Sequence, residues 1–229
     1  MNDVRAQLMR SKTVAQVNRK VTKSLTVHWN GPAFVASDLD QLKGDARFHV
    51  QTRGWDGLSY HYGVGRDGQQ YWCRDKIARL NHAGVAQGNS ESLSVLVLTG
   101  EGMNIHSIQF KSLEDLIVTL GVPPRWVLGH QEWPRLTACP GPLLLRWLTA
   151  YRSRYRAAGT ATTLYTTNVR DEASVLSHLI RQLKPGTQVT GTWMLGKPFK
   201  GDALWLQTGN DYIHASVLKG DLPPWTRPL

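Results

Sequence analysis

Two histidines and one cysteine, set far apart in the chain, carry side chains that can together hold a metal ion. His28 lies near the end of a predicted strand, and His130 and Cys139 flank the short segment 131–138. Two imidazoles and a thiolate are ligands of zinc, and three protein ligands leave a fourth tetrahedral position for water, as in a catalytic site. Taken singly, such residues are more often core histidines and buried cysteines, so the surrounding sequence has to decide.

The surrounding sequence contains short motifs in a fixed order. They are Phe48-His49, Arg53-Gly54-Trp55, Tyr60-His61, Asn81-His82-Ala83-Gly84, Gly129-His130 and Cys139-Pro140-Gly141. This series resembles the zinc-dependent N-acetylmuramoyl-L-alanine amidases, the family shared by phage lysozyme-type amidases and animal peptidoglycan recognition proteins. Several ordered segments are more specific than any one of them. The resemblance implies a zinc cofactor held by His28, His130 and Cys139.

The resemblance also implies roles for side chains around the metal. Tyr60 and Thr137 are the implied catalytic residues, since each offers a hydroxyl to the oxyanion that forms when an amide carbonyl is attacked. The implied substrate-binding residues are Trp55, Arg74 and His82. For Trp55, packing within the fold and stacking on a sugar are both open.

The pattern of strands and helices predicts the fold that positions these residues. The predicted elements are a strand around Leu25–Trp29, a helix within Pro32–Gln51, a hairpin from Tyr60 to Arg74 turning at Asp67-Gly68, an apolar strand Leu93–Leu98, a helix Ser107–Leu120, a short strand Arg125–Leu128 and a helix Pro142–Arg156. Strands that alternate with helices indicate an α/β domain. We therefore expect a mixed central β-sheet flanked by helices, the amidase and peptidoglycan recognition fold.

Composition along the chain suggests four segments. Residues 1–23 form a basic N-terminal extension with six basic side chains against one acidic one, and their valines and leucine recur at a helical spacing. This extension is interpreted either as a solvated helix on the catalytic domain or as a cationic element that reaches an anionic envelope. Residues 24–156 form the zinc amidase domain, and the small, polar residues 157–163 read as a linker.

Beyond the linker, residues 164–229 change to short strands with frequent turns. They resemble the bacterial Src-homology-type modules, small all-β barrels often fused to wall hydrolases, which implies cell-wall binding. The alternative is an extra β-subdomain that only stabilises the enzyme.

The charge of the chain narrows the class of partner. The 229 residues carry a formal net charge of +10, and the pI is near 9.9. A basic protein is attracted to polyanions, but no nucleic-acid motif is present, so we expect bacterial peptidoglycan and anionic cell-envelope polymers rather than nucleic acid. No apolar run reaches the length of a membrane span, two cysteines are too few for a disulfide framework, and we expect a monomer.

Together these observations predict a peptidoglycan hydrolase that cleaves the amide between N-acetylmuramic acid and L-alanine, and specifically a phage endolysin. The first residues lack an apolar signal-peptide core, so we expect synthesis in the cytoplasm of an infected host and holin-type release to the wall. Two alternatives remain at this point: a peptidoglycan-binding protein without catalysis, and a cytoplasmic amidase that recycles muropeptides.

Overall fold

The computed structural model describes residues 1–19 and 21–226, in two compact units. The first unit comprises Met1–Val122 and Val127–Trp147, and the second comprises Pro123–Trp126 and the chain from Leu148 onward. Of the predicted segments, the N-terminal extension includes Lys20 and the C-terminal module includes residues 227–229, which lie outside the described residues. Every residue that the sequence implicates in chemistry belongs to the first unit.

A mixed six-stranded sheet forms the centre of the first unit. Its strands are β1 (Asn2–Asp3), β2 (Ser24–Gly31), β3 (Tyr62–Val64), β4 (Gln70–Trp72), β5 (Ser92–Gly100) and β6 (Val127–Gly129). Their order across the sheet is β1-β4-β3-β5-β2-β6. The hairpin of β3 and β4 is antiparallel, whereas the other neighbouring pairs are parallel. The predicted mixed α/β architecture is confirmed.

Among the described residues, three helices of the first unit alternate with these strands along the chain: α1 (Asp38–Gln51), α2 (Ala86–Glu91) and α3 (Ser107–Thr119). A fourth, α4 (Pro142–Ser153), begins in the first unit and ends in the second. The Ser37 side chain caps α1 by accepting a hydrogen bond from the Asp40 amide. Strand β5 is buried at all nine positions, as expected for an apolar run in a parallel sheet that is covered on both faces. Among the described residues, no helix combines the length and the apolar character needed to cross a bilayer.

The N-terminal segment is not the helix that its apolar spacing predicts. Its described residues run mainly as irregular chain, with one 3-10 turn at Arg5–Gln7, and β1 pairs in parallel with β4. Val4 and Leu8 are buried in the core, whereas Val14 and Val17 are exposed. The apolar residues therefore do not share one helical face, and the first two of them anchor an extended strap to the domain.

Antiparallel strands make up most of the second unit. They are β7 (Arg156–Thr163), β8 (Thr167–Arg170), β9 (Leu179–Leu183), β10 (Gln188–Phe199), β11 (Asp202–Thr208), β12 (Asp211–His214) and β13 (Leu218–Gly220). They form one sheet in the order β13-β7-β10-β11-β12-β8-β9. Trp193, Leu204, Leu206 and Ile213 pack at its core. The predicted closure of this sheet into a barrel stays a prediction.

The stretch predicted as a linker, 157–163, lies inside strand β7. It pairs with β10 on one side and with β13 on the other. Its small residues have a packing cause: a Cβ added at Gly159 would lie 2.3 Å from the Trp193 indole nitrogen. The threonines between them favour extended backbone. Small, polar composition here reflects a close approach between a strand and a tryptophan rather than chain flexibility.

Candidate functional site

The three candidate metal ligands converge at one edge of the six-stranded sheet. His28 lies in β2 where its buried stretch ends, His130 follows β6 directly, and Cys139 precedes α4. Since β2 and β6 are parallel neighbours, residues at their carboxyl ends are brought together. One ligand atom from each of the three residues lies within 4.8 Å of the other two.

The loop that carries Cys139 is held against β2 by close packing. Gly141 has a φ of +83°, and a Cβ at this position would lie 2.6 Å from the Trp29 ring. Glycine is the residue that adopts such a φ without strain. The Gln131 amide also donates to the Cys139 carbonyl at 2.9 Å. The thiol is therefore fixed beside the strand that carries His28.

The protonation and hydrogen bonding of the two imidazoles fit a metal ion, whereas burial raises the pKa of the Cys139 thiol to about 12 in the absence of one. The His28 Nδ1 atom lies 3.5 Å from the Cys139 sulfur, and the buried His130 Nε2 atom has no hydrogen-bond partner in the described part of the chain. Burial lowers the pKa of His28 well below its usual value and that of His130 to about 4. Both imidazoles are thus neutral, the form that binds metals. A buried, unpaired imidazole nitrogen beside a second imidazole and a thiol is a donor set suited to zinc.

The two predicted catalytic hydroxyls lie near these ligands. The Tyr60 ring centroid is 5.2 Å from that of His28. Burial, reinforced by Cys139 and Asp45, raises the pKa of Tyr60, so the phenol keeps its proton and remains a hydrogen-bond donor. The Thr137 hydroxyl oxygen accepts a hydrogen bond from the Cys139 amide at 3.2 Å. This bond orients the hydroxyl and leaves its hydrogen available for donation.

A pocket of about 600 Å³ opens beside the ligand cluster. Tyr60 and His130 line it, as do two of the predicted substrate-binding residues, Trp55 and His82. The Trp55 ring packs on the His49 ring with centroids 4.9 Å apart, so Trp55 both supports the fold and presents a surface to the pocket.

Among the histidines and arginines that line this pocket, sequence reasoning missed four: His49, Arg53, Arg79 and Arg135. His49 and Arg53 lie within the ordered motifs, so a signal for both residues was present in the sequence. Arg135 reaches the pocket over Gly84, whose φ is +68° and whose added Cβ would collide with the Arg135 side chain. Within the described chain, no carboxylate lines the pocket, so its walls are positively charged.

The predicted substrate contact of Arg74 is contradicted by its position. Its side chain is only 1% exposed and does not line the pocket. Its guanidinium pairs with the Asp56 carboxylate at 2.5 Å and donates to the Leu58 carbonyl at 2.8 Å. A fully buried guanidinium needs such partners, and Arg74 therefore holds the chain that precedes Tyr60 instead of binding ligand.

Comparisons with known proteins agree with this geometry. A model of the N-acetylmuramoyl-L-alanine amidase family matches residues 18–142, more than half of the chain. Wild-type Drosophila PGRP-LB is 22% identical with a TM-score of 0.51, and the match covers 62% of this chain and 85% of that one. Drosophila peptidoglycan recognition protein SD is 18% identical with a TM-score of 0.54, over 67% and 94% of the two chains.

A third similar structure is peptidoglycan recognition protein LE in complex with tracheal cytotoxin, which is 16% identical with a TM-score of 0.53, over 62% of this chain and 87% of that one. At these identities the likeness shows a shared fold. A search of curated proteins finds no match to the chain.

Proposed function

Because this chain belongs to the N-acetylmuramoyl-L-alanine amidase family, we propose that it is a zinc-dependent hydrolase of bacterial peptidoglycan. The bond cleaved is the amide between N-acetylmuramic acid and L-alanine. One observation carries the proposal: the ligand atoms of His28, His130 and Cys139 lie within 4.8 Å of one another, and His130 also lines the pocket of about 600 Å³. A complete ligand set at the wall of an open pocket is what a hydrolytic metal site needs.

The side chains around the ligands have the chemistry that amide hydrolysis requires. Zinc at this site supplies Lewis-acid chemistry, which polarises a carbonyl and lowers the pKa of water. Tyr60 keeps its proton because burial raises its pKa, so its phenol donates to the carbonyl oxygen as negative charge develops there. Thr137, oriented by the Cys139 amide, is a second, neutral donor. Tyr60 carries the larger share because it faces the pocket.

The walls of the pocket suit a peptidoglycan stem peptide. Its carboxylates are attracted to the guanidinium groups of Arg53, Arg79 and Arg135, which line the pocket. Trp55 offers an aromatic surface to a sugar or to the lactyl group. In the complex of peptidoglycan recognition protein LE, the bound tracheal cytotoxin is a monomeric diaminopimelic acid-type peptidoglycan. Because that protein shares the fold, its ligand supports the proposal that the pocket of this chain binds a peptidoglycan fragment.

The biological role that we propose is that of a phage endolysin which degrades the host cell wall. In this role the protein is made in the infected cell, reaches the wall through holin-type release, and is bacteriolytic. The antiparallel β unit is proposed to bind the wall, and the net charge of +10 favours contact with anionic envelope polymers. Nucleic acid has no place in this proposal, and neither does membrane insertion.

Digestion of purified peptidoglycan tests the activity. The zinc-loaded full chain is incubated with sacculi, and the products are identified by mass spectrometry. The proposal expects free stem peptides that begin with L-alanine, together with glycan strands that have lost their peptides. The Cys139→Ser and His28→Ala variants should release neither product, whereas His178→Ala, which removes an exposed histidine of the second unit, should match the parent.

The same experiment separates the alternative functions. Co-sedimentation with sacculi but no new ends would indicate a peptidoglycan-binding protein without catalysis. Cleavage of soluble anhydro-muropeptides with no action on intact sacculi would indicate a recycling amidase. Products that are cut in the glycan, or between amino acids of the stem, would refute the assigned bond.

A further inference from the structure

His82, which the sequence assigns to the substrate, is bound on both sides by groups of the protein. It is only 5% exposed. Its Nδ1 atom lies 3.1 Å from the Nε2 atom of His28, and its own Nε2 atom lies 3.1 Å from the Ser92 carbonyl oxygen. Both ring nitrogens are therefore engaged, and neither is available to hydrogen-bond a ligand in the pocket.

This chain of contacts fixes where the protons reside. A carbonyl oxygen can only accept, so the Nε2 atom of His82 carries hydrogen and donates it to Ser92. In a neutral imidazole the other nitrogen is then bare and can only accept. His82 is buried and both of its hydrogen-bond partners are uncharged groups, an environment that favours the neutral imidazole. Consequently the Nε2 atom of His28 donates to His82, and the Nδ1 atom of His28 presents its lone pair towards Cys139.

The Ser92 carbonyl, which accepts from His82, is also bound by an arginine of the N-terminal strap. Arg19 donates from Nη1 to the same Ser92 carbonyl at 2.8 Å, and from Nη2 to the Lys76 carbonyl. Its side chain is 8% exposed. Arg19 and His82 thus share the Ser92 carbonyl oxygen, whose two lone pairs can accept both hydrogen bonds. A charged donor fixes this carbonyl more firmly than a neutral one does.

We propose that His82 is a positioning residue that selects the Nδ1 atom of His28 as the metal ligand, and that Arg19 anchors it through the Ser92 carbonyl. The inference rests on the proposed zinc site. It assigns the N-terminal strap a part in building the metal centre. Metal-binding histidines commonly donate their second nitrogen to a partner, and loss of such a partner costs about 10- to 100-fold in metal affinity.

The tautomer can be read directly from the unaltered protein. The full chain, labelled with nitrogen isotope and loaded with an NMR-active cadmium isotope in place of zinc, should show a one-bond metal coupling to the Nδ1 atom of His28. Its Nε2 atom should carry a proton. Coupling to Nε2 would overturn the proposal even if peptidoglycan is cleaved, and this outcome is distinct from failure of the amidase activity itself.

Variants of His82 test the effect on metal affinity, which is measured by competition with a chromogenic chelator. His82→Leu removes the acceptor and should weaken zinc binding by about 10- to 100-fold. His82→Asn places an amide oxygen near the former Nδ1 position and should recover much of this loss. The matched control is His61→Leu, because His61 is also a buried, doubly hydrogen-bonded histidine, bound to Ser94 and Ala78. It should lower stability but not zinc affinity.

Arg19 has a control within the same strap. Arg19→Met should weaken zinc binding by roughly 3- to 10-fold, less than loss of His82 because it acts one contact further from the ligand. Arg5→Met removes an arginine that pairs with Asp3 and Asp75 and lies over Trp72, and it should leave zinc affinity unchanged. Equal affinities for the two variants would refute the role of Arg19, and unchanged affinity in His82→Leu would refute that of His82.

Discussion

Removal of one oxygen atom, in Tyr60→Phe, separates donation to the substrate from metal binding and from folding. The phenol lines the pocket, and its ring lies 5.2 Å from that of His28. Because burial raises the pKa of Tyr60, the group is a neutral donor throughout the working pH range. Loss of one oxyanion donor costs about 2.7–4 kcal/mol in the transition state, or about 100- to 1000-fold in kcat. We expect this loss with zinc content and unfolding temperature unchanged.

The chain offers a matched control two residues further on. Tyr62 is buried, and its hydroxyl has no hydrogen-bond partner among the described residues. Tyr62→Phe should therefore keep full activity and stability. Thr137→Ala should fall between the two, since its hydroxyl is a neutral donor oriented only by the Cys139 amide.

The assay is release of stem peptide from purified peptidoglycan under saturating and limiting substrate, so that kcat and KM are resolved. The loss in Tyr60→Phe should appear in kcat, because the hydrogen bond strengthens only as charge develops on the carbonyl oxygen. A Tyr60→Phe enzyme as fast as the parent would refute this role. A loss confined to KM would instead assign Tyr60 to substrate binding.

Three further predictions concern the metal, the strap and a buried carboxyl. Replacing any one of the three ligand residues by alanine should abolish stoichiometric zinc in metal analysis, and a chelator should remove activity that added zinc restores. Deleting residues 1–23 should destabilise the enzyme, since burial of Val4 and Leu8 contributes about 1.5–3 kcal/mol each; unchanged thermal unfolding with weaker whole-cell lysis would favour a cationic role. Burial raises the pKa of Asp45 from 3.8 to about 6. Because the unfolded chain loses this proton more readily than the folded one, the free energy of unfolding should fall as pH rises from about 4 to about 7. Between about pH 4 and about pH 7, Asp45→Asn should gain about 1–3 kcal/mol relative to the parent in urea unfolding with chelator present.

The convergence of the three candidate metal ligands could be predicted from the sequence because they lie in motifs that follow strand ends or precede a helix. His28 and His130 each follow a run of strand-forming residues, and parallel neighbours bring such ends together. The position of Cys139 could be predicted because the proline and glycine that follow it indicate a turn before the next helix. The alternation of strands and helices likewise predicted the mixed sheet.

Other predictions failed because sequence spacing does not report tertiary contacts. Arg74 has the position of a substrate residue at the end of the hairpin, but its partner Asp56 lies 18 positions away and draws it into the core. His82 lines the pocket, so its substrate role stays a prediction, but its contacts with His28 and Ser92 could not be predicted because they depend on how β2 and β5 pair. The small residues around Gly159 were attributed to flexibility because nothing local indicates that Trp193 packs on them.

The net charge of the chain also does not predict the charge at the pocket. Arg74 pairs with the Asp56 carboxylate, and Arg19 donates to two backbone carbonyls. Such arginines contribute to the total of +10 but present little charge to a ligand. Arg53, Arg79 and Arg135 line the pocket and have no salt-bridge partner in the described part of the chain. In the proposed function, the attraction of an anionic stem peptide to the pocket depends on these three side chains. Because salt screens interactions between exposed charges, this attraction should weaken as ionic strength rises. The net charge of the rest of the surface contributes little to it.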